Sequence, residues 1–315
     1  MPDHVTRLAP SPTGALHLGN ARTFLVNHLL ARREGWRVLL RVEDLDGPRV
    51  KKGSAEQMIE ELAWLGLEWS GPVVWQSARQ AVYESALRRL AEEGWAYPCT
   101  CSRKDAAWAG GAPHAEDGGA AYPNTCRGRY PSAEAAEATG RPVAWRLRVP
   151  HEPVAFVDEF AGPREFDLLH ACGDFVIFRA EGLAAYQLAV VLDDAQAGVD
   201  AVVRGDDLLE SAARQIHLRR LLGLAGSVRY WHLPLVVGQD GRRLAKRHGD
   251  TRLATYRQAG ASPQRILGLL GFWCGLLESR REASMGELLE RFDLARILHA
   301  PVVFGRQDDA FLRAK

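Results

Sequence analysis

Arg7-Leu8-Ala9-Pro10-Ser11-Pro12-Thr13-Gly14-Ala15-Leu16-His17-Leu18-Gly19-Asn20 stands near the start of the 315-residue chain, and its surroundings decide the fold class. Residues 4–10 read as a short strand. Pro10, Pro12 and Gly14 then interrupt regular structure. Across residues 20–33, Phe24, Leu25, Leu29 and Leu30 recur at helical spacing, and Gly35 closes the helix. Residues 38–42 form a short, mostly apolar run of the buried-strand type. Strand, loop, helix and strand make a right-handed βαβ unit, the seed of a parallel sheet. The expected fold is α/β. A glycine-containing loop leads into its first helix, where backbone N–H groups and the helix dipole favour an anion.

Working outward, Ser54 with Gln57 predicts a capping box. The helix after it carries Met58, Ile59, Leu62 and Leu65 on one face. Another helix spans residues 77–93 and stops at Gly94. Character changes over residues 95–150, which hold Cys99, Cys101 and Cys126 and a Gly/Ala-rich loop at 109–121; this reads as an insertion between two halves of the sheet domain. The α/β rhythm returns near residue 184. Residues 186–192, 201–203 and 233–237 are strand candidates, and 208–222 is an amphipathic helix ended by Gly223. Gln239-Asp240-Gly241 is a tight-turn signal. It leads into a second cationic string, Arg243-Leu244-Ala245-Lys246-Arg247. Beyond residue 251 the pattern is helical. Ser262-Pro263 supplies a cap and a first-turn proline before Ile266, Leu267, Leu270 and Trp273.

Lys plus Arg is 40 against 39 Asp plus Glu, so the chain does not hold nucleic acid by bulk charge alone. No apolar run is long enough to span a bilayer, and Met1-Pro2-Asp3-His4 lacks the basic-then-apolar pattern of a signal peptide, so the cytoplasm is the default location. The odd count of five cysteines speaks against a disulfide framework. Cys172 and Cys274 stand in apolar contexts as packing residues. Cys99, Cys101 and Cys126 offer three of the four ligands a structural zinc wants. His114 is the orthodox fourth and Tyr122 the other candidate. Asp44, Asp46, Asp206 and Asp207 read as loop caps and surface charges.

In this order, residues 7–20 and 243–247 resemble the two ATP-handling signatures, HIGH and KMSKS, of class I aminoacyl-tRNA synthetases in their glutamate version. Arg41-Val42-Glu43-Asp44-Leu45-Asp46 resembles the family's RIEDTD string. Tyr186-Gln187-Leu188-Ala189 and Val203-Arg204-Gly205-Asp206-Asp207-Leu208-Leu209 match two later ones. The resemblance covers residues 5–248. It implies a Rossmann-like class I synthetase catalytic domain in two halves, 1–95 and 184–250, the second with the KMSKS-like loop. Between them 96–183 is a zinc-bearing α+β insertion. A short helical region, 251–315, follows without an anticodon-binding domain.

The resemblance also implies roles. His17 meets the ATP phosphates, Gly19 lets adenine pack against the backbone, Asn20 completes the motif and Lys246 is the mobile cation. Arg243 and Ala245 stand where the family has lysine and serine. Arg7, Ser11, Glu43, Tyr186 and Arg204 bind glutamate: Glu43 accepts from its ammonium, and Arg204 pairs with its side-chain carboxylate. The Cys-x-Cys and Tyr-x-x-x-Cys pattern resembles a zinc site that ranks Tyr122 ahead of His114. That site, with the short helical tail, resembles the glutamyl-queuosine tRNA(Asp) synthetase family. Its members activate L-glutamate with ATP and Mg²⁺ without tRNA. They then esterify the glutamate onto queuosine at the first anticodon position of tRNA(Asp). A monomer holding one structural Zn²⁺ is implied. The alternatives are a truncated glutamyl-tRNA synthetase charging a 3′ end, and an inactive tRNA-binding module, for which Arg243 and Ala245 speak.

Lys246→Ala should slow adenylate formation about 10²–10³-fold with little loss of glutamate binding. Pyrophosphate exchange set beside equilibrium glutamate binding measures both, and undiminished exchange would remove Lys246 from the chemistry.

Overall fold

The computed structural model describes residues 4–47, 50–102, 105, 121–242, 244 and 250–314. The βαβ unit is formed by β1 (Val5–Leu8), α1 (Leu18–Glu34) and β2 (Arg37–Val42), with β1 and β2 parallel from Val5↔Arg37 to Leu8↔Leu40. Arg7 lies within β1, inside the predicted strand. The helix starts two residues earlier than its apolar spacing predicts, because the His17 ring caps it by accepting from the Gly19 and Asn20 N–H groups. It ends at Gly35, as expected.

Next come α2 (Ser54–Trp64), β3 (Val74–Trp75) and α3 (Gln80–Glu92). Met58, Leu62 and Leu65 are buried in the main core and Ile59 packs against it. The predicted capping box is absent. Gly53 is the N-cap, and Ser54 Oγ sits 2.6 Å from the Lys51 carbonyl oxygen and 2.9 Å from that of Pro12. The hydroxyl thus ties the loop after β1 to this helix, while Gln57 donates to Glu61 within it.

Strands β4 (Ala96–Cys99), β5 (Ala144–Leu147), β6 (Val154–Asp158), β7 (Gly162–Phe166) and β8 (Phe175–Phe178) follow. β4, β5 and β8 form an antiparallel sheet of their own, whereas the β6–β7 hairpin joins the sheet of β9 (Ala201–Gly205) and β10 (Arg229–Leu233). Residues 186–192 are not a strand: Tyr186–Ala197 is a helix. Leu188, Ala189, Val190 and Val191 are all buried, and α3, β8 and the helix Leu209–Leu221 enclose them. An element buried on every side shows no amphipathic period, so its sequence reads equally as a core strand. The strand expected over 233–237 is two, β10 and β11 (Val236–Val237), parted at Pro234, which has no N–H to continue a ladder. β12 (Val302–Val303) pairs with β11.

The parallel sheet β1-β2-β3 and the mixed sheet β7-β6-β10-β9 meet at β1 and β9. The Asp200 N–H donates to the Val5 carbonyl at 3.1 Å, and the Asp200 carboxylate accepts from the Val5 N–H at 2.8 Å. Across both sheets the order runs β3-β2-β1-β9-β10-β6-β7. The direction of winding reverses between β1 and β9. The loops at their C-terminal ends part there and leave the crevice in which open α/β sheets take ligands. Below it, one core joins Leu8, Leu29 and Leu40 of the βαβ unit with Val203, Trp231 and the C-terminal Ile266, Leu270 and Leu312. Ser262 caps the helix Pro263–Trp273, its Oγ accepting from the Arg265 N–H at 3.0 Å, as predicted. No described helix is long and apolar enough to cross a membrane.

His28 is buried in α1, and its Nδ1 has no hydrogen-bond partner among the described residues. Burial, then the Arg32 charge, lowers its pKa from 6.5 to about 4. The unfolded chain therefore takes up this proton below about pH 6.5 while the folded chain refuses it until about pH 4. Stability should fall as pH drops through that window, by up to roughly 3 kcal/mol from this one group. Urea midpoints at stepped pH should show a shallower decline for His28→Gln than for the parent; parallel curves would contradict the assignment.

Candidate active site and metal centre

A cavity of about 390 Å³ occupies the crevice, and Arg7, Ser11, Glu43, Tyr186 and Arg204 line it together with His17, Gly19 and Asn20. Residues 7 and 204 come from the strands on either side of the reversal, Tyr186 from a helix N-terminus, and Glu43 from the first position after β2. Arg243, Ala245, Lys246 and Arg247 lie outside the described residues. Their flanks do not. The Leu18 N–H donates to the Thr251 carbonyl at 3.1 Å and the Leu253 N–H to the Leu16 carbonyl at 2.9 Å, so the backbone after the second signature is stitched to the first. Before it, Gly238 and Arg242 close the predicted tight turn through a 2.8 Å hydrogen bond.

The cap geometry sets the chemistry of His17. Its Nδ1 accepts from the Gly19 N–H at 3.2 Å and the Asn20 N–H at 3.4 Å. A nitrogen that accepts carries no proton, so the neutral ring holds its proton on Nε2 and is a donor there. A Cβ at position 19 would come within 3.1 Å of that ring, so a side chain there would press on the cap.

The amino-acid side of the cavity is a cluster of opposed charges. Arg7 Nε donates to Asp194 at 3.3 Å, Arg41 Nη1 donates to the same carboxylate oxygen at 2.5 Å, and Arg41 Nη2 donates to Glu43 at 3.1 Å. Burial pushes the Asp194 carboxyl up, but Arg41 and Arg7 outweigh it and hold it below the usual carboxylate range. Burial pushes the Glu43 carboxyl up against the pull of Arg41 and Arg7. The Tyr186 phenol is raised by burial. Ser11 Oγ donates to the Glu43 carbonyl at 3.2 Å. The sequence reading missed Arg41 and Asp194 as members of the site. The available signal was Arg41 inside the apolar run 38–42 and the pair Asp193-Asp194 directly after the largely apolar run 186–192. Asp44, expected as a loop cap, accepts from the Ser77 N–H and hydroxyl at 2.8 Å and 2.6 Å.

Away from the crevice, the Sγ atoms of Cys99, Cys101 and Cys126 lie within 4.8 Å of one another. Tyr122 Oη is 3.4 Å from Cys99 Sγ and 3.6 Å from Cys101 Sγ, and Cys101 and Cys126 are 3.4 Å apart. Sulfurs around a tetrahedral zinc are about 3.8 Å apart, so these four donors fit that ion. His114 lies outside the described residues. The Cys126 N–H donates to Tyr122 Oη at 3.0 Å, and the Arg146 guanidinium lies 3.5 Å over the Tyr122 ring while its Nε donates to Cys99 Sγ. Burial raises the Cys126 thiol, but hydrogen bonds led by the Thr100 backbone bring it down to about 7. Gly173 has a positive φ of 64°, and a Cβ there would fall 2.0 Å from the Tyr122 carbonyl oxygen. Only glycine lets the two backbones close on each other at this point.

Residues 4–308 match the catalytic-domain family of tRNA synthetases class I (E and Q). The chain is 49% identical over 306 residues to the Glutamyl-Q tRNA(Asp) synthetase of Symbiobacterium thermophilum, covering 94% of this chain and 94% of that one. It is 41% identical over 332 residues to the Glutamyl-Q tRNA(Asp) synthetase of Rhodopirellula baltica, covering 98% of this chain and all of the other. Its fold is similar to the crystal structure of the glutamate-tRNA synthetase from Elizabethkingia anophelis, with a TM-score of 0.80 and 24% identity over 98% of this chain and 69% of that one.

Tyr122→Phe should leave the fold intact and weaken zinc binding by about tenfold or more, as read by competition with a chromogenic chelator. Gly173→Ala should weaken it too, by displacing the tyrosine backbone. Equal affinity in Tyr122→Phe and the parent would exclude the phenol as a ligand.

Proposed function

Since the chain belongs to the class I (E and Q) tRNA synthetase family, and within it to the glutamyl-Q tRNA(Asp) synthetases, we propose the following course for its reaction. The enzyme is an ATP-dependent ligase. It activates L-glutamate as glutamyl-adenylate and transfers the glutamate to queuosine of tRNA(Asp). The observation that carries this reading is the meeting of His17, Gly19 and Asn20 with Arg7, Glu43 and Arg204 in one cavity at the sheet reversal. A nucleotide seat and an acidic-amino-acid seat then share a wall, as in-line attack requires.

In the first step an α-carboxylate oxygen of glutamate forms a bond to the α-phosphorus of ATP, and pyrophosphate leaves. His17 donates from Nε2 to a phosphate oxygen, and Lys246 brings a second donor with full charge. ATP would carry Mg²⁺ as its counter-ion, which would offset phosphate charge. Glu43 accepts from the substrate ammonium; a desolvated carboxylate gains much from that cation. Arg7 and Ser11 face the α-carboxylate, and Tyr186 closes the pocket. Arg204 meets the side-chain carboxylate, which selects glutamate over glutamine by charge.

In the second step a hydroxyl of the queuosine cyclopentenediol attacks the adenylate carbonyl, forming an ester and releasing AMP. The acceptor is the anticodon stem-loop. Similarity along nearly the whole chain to relatives named for tRNA(Asp) supports it. Zinc, one per chain, is held by Cys99, Cys101, Tyr122 and Cys126 and supplies a structural cross-link between the end of β4 and the segment 122–126. In domain terms, residues 1–95 and 184–250 are the two catalytic halves, 96–183 carries the zinc arm and 251–315 is a helical buttress. The enzyme acts as a cytoplasmic monomer.

Pyrophosphate exchange should depend on glutamate, with glutamine and aspartate at background. Labelled glutamate should pass to queuosine-containing tRNA(Asp) and not to the queuosine-free form. Label at a tRNA 3′ end would make the enzyme an ordinary charging synthetase. Absence of exchange with every amino acid would leave a binding module.

A further inference from the structure

Behind Arg204, which lines the cavity, runs a buried polar chain whose other members the proposed reaction does not use. Asp158, His232 and Arg204 stand on the three adjacent strands β6, β10 and β9, with His232 and Arg204 paired in register. Arg204 Nε donates to His232 Nε2 at 2.9 Å. A guanidinium has no acceptor, so that ring nitrogen carries no proton. The ring proton is therefore on Nδ1, where it is donated to Asp158 Oδ2 at 2.6 Å. The other Asp158 oxygen accepts backbone N–H groups from Phe160 at 3.0 Å, Ala161 at 2.7 Å and His232 at 3.2 Å. Both side chains of the Asp158–His232 pair are fully buried.

The far side of Arg204 is held in the same manner. Its Nη1 donates to Gln215 Oε1 at 2.9 Å and its Nη2 to the Leu208 carbonyl at 3.3 Å. Gln215 in turn donates to Gln187, and Gln187 to Ser211. Each of these acceptors is neutral: an imidazole, an amide and a backbone carbonyl. Arg7 and Arg41 instead contact the Asp194 carboxylate directly. A buried guanidinium fixed by neutral acceptors keeps its attraction for an incoming carboxylate. One already paired with a protein carboxylate is partly neutralised before the substrate arrives.

We propose that Asp158 and His232 are positioning residues for the substrate side chain. Asp158 locks His232 in its Nδ1–H form, and the bare Nε2 then fixes the plane of Arg204 without neutralising it. This rests on the assignment of Arg204 to the side-chain carboxylate of glutamate. The lock gives a role to an aspartate at the end of β6 that meets Arg204 only through His232: the ring has two nitrogens, and only one tautomer suits an arginine. In Asp158→Asn the amide can donate to Nδ1, which moves the ring proton to Nε2 and sets it against the Arg204 N–H. The backbone hydrogen bonds to the other oxygen survive this substitution.

The test is pyrophosphate exchange on the full chain, with KM and kcat for glutamate, KM for ATP and the melting temperature for Asp158→Asn, His232→Leu and His232→Gln. Asp158→Asn and His232→Leu should raise the glutamate KM about tenfold and lower the preference for glutamate over glutamine, with the ATP KM nearly unchanged. His232→Gln, whose amide oxygen can accept from Arg204, should recover much of the loss relative to His232→Leu. Arg204→Met is the control for the premise. If it leaves the glutamate KM unchanged, the role of Arg204 falls. If it raises the KM while Asp158→Asn and His232→Leu do not, the positioning role falls and Arg204 stands. Equal losses toward ATP and glutamate in both His232 variants would mark a structural role only and also overturn the proposal.

Discussion

Two buried arginines from neighbouring strands share one carboxylate, and the amino-acid side of the crevice depends on that contact. Arg7 on β1 and Arg41 on β2 both donate to Asp194, which stands near the end of the helix Tyr186–Ala197. Without the aspartate, two cations with little access to water would face each other, an arrangement that costs several kcal/mol. With it, the helix is pinned to the sheet, Tyr186 at its other end lines the cavity, and Arg41 is oriented toward Glu43. Local charge pairing thus places three site residues at once, from three separate stretches of chain.

The reversal of strand order between β1 and β9 supplies the space, and hydrogen bonding fills it with defined donors. His17 caps α1 through Nδ1, which fixes its tautomer and leaves Nε2 as the donor. His232 has the opposite protonation pattern, Nδ1–H toward Asp158, because an arginine lies on the Nε2 side. Two histidines, His17 lining the crevice and His232 buried behind Arg204, are therefore set in opposite tautomers by their partners. The cysteine cluster follows the same logic at a distance. Backbone closure of Gly173 on Tyr122 and the Arg146 guanidinium over the ring place the phenol among three sulfurs.

The parts legible in the sequence are those governed by short-range chemistry. The βαβ unit was readable because prolines and glycines punctuate short strands and a run with apolar residues at helical spacing, all within about forty residues. Ser262-Pro263 was readable as a helix start because both cap and proline act within one turn. The failures have a common cause in long-range packing. Residues 186–192 form a helix enclosed on all sides, so no polar face marked its period. Ser54 turned its hydroxyl to the Lys51 carbonyl and to that of Pro12, a partner 42 residues away. Pro234 split a run that reads as one strand, and its carbonyl is taken by the buried Arg22 at 2.6 Å.

For the site, the sequence by itself determined which residue types are present and in what order: a Pro/Gly loop with His17, an acidic string ending β2, an arginine in Val203-Arg204-Gly205, and a Cys/Tyr set at ligand-like spacing. Those are statements about chemistry carried along a chain, and spacing expresses them. Only the tertiary structure decided that residues 7, 43, 186 and 204 share one cavity, that Asp194 and Arg41 belong with them, and that Asp158 reaches Arg204 through His232. Each of those contacts joins strands or helices that are distant in sequence. The pairing energy that selects them exists only once sheet order has brought the groups out of water and into reach of each other.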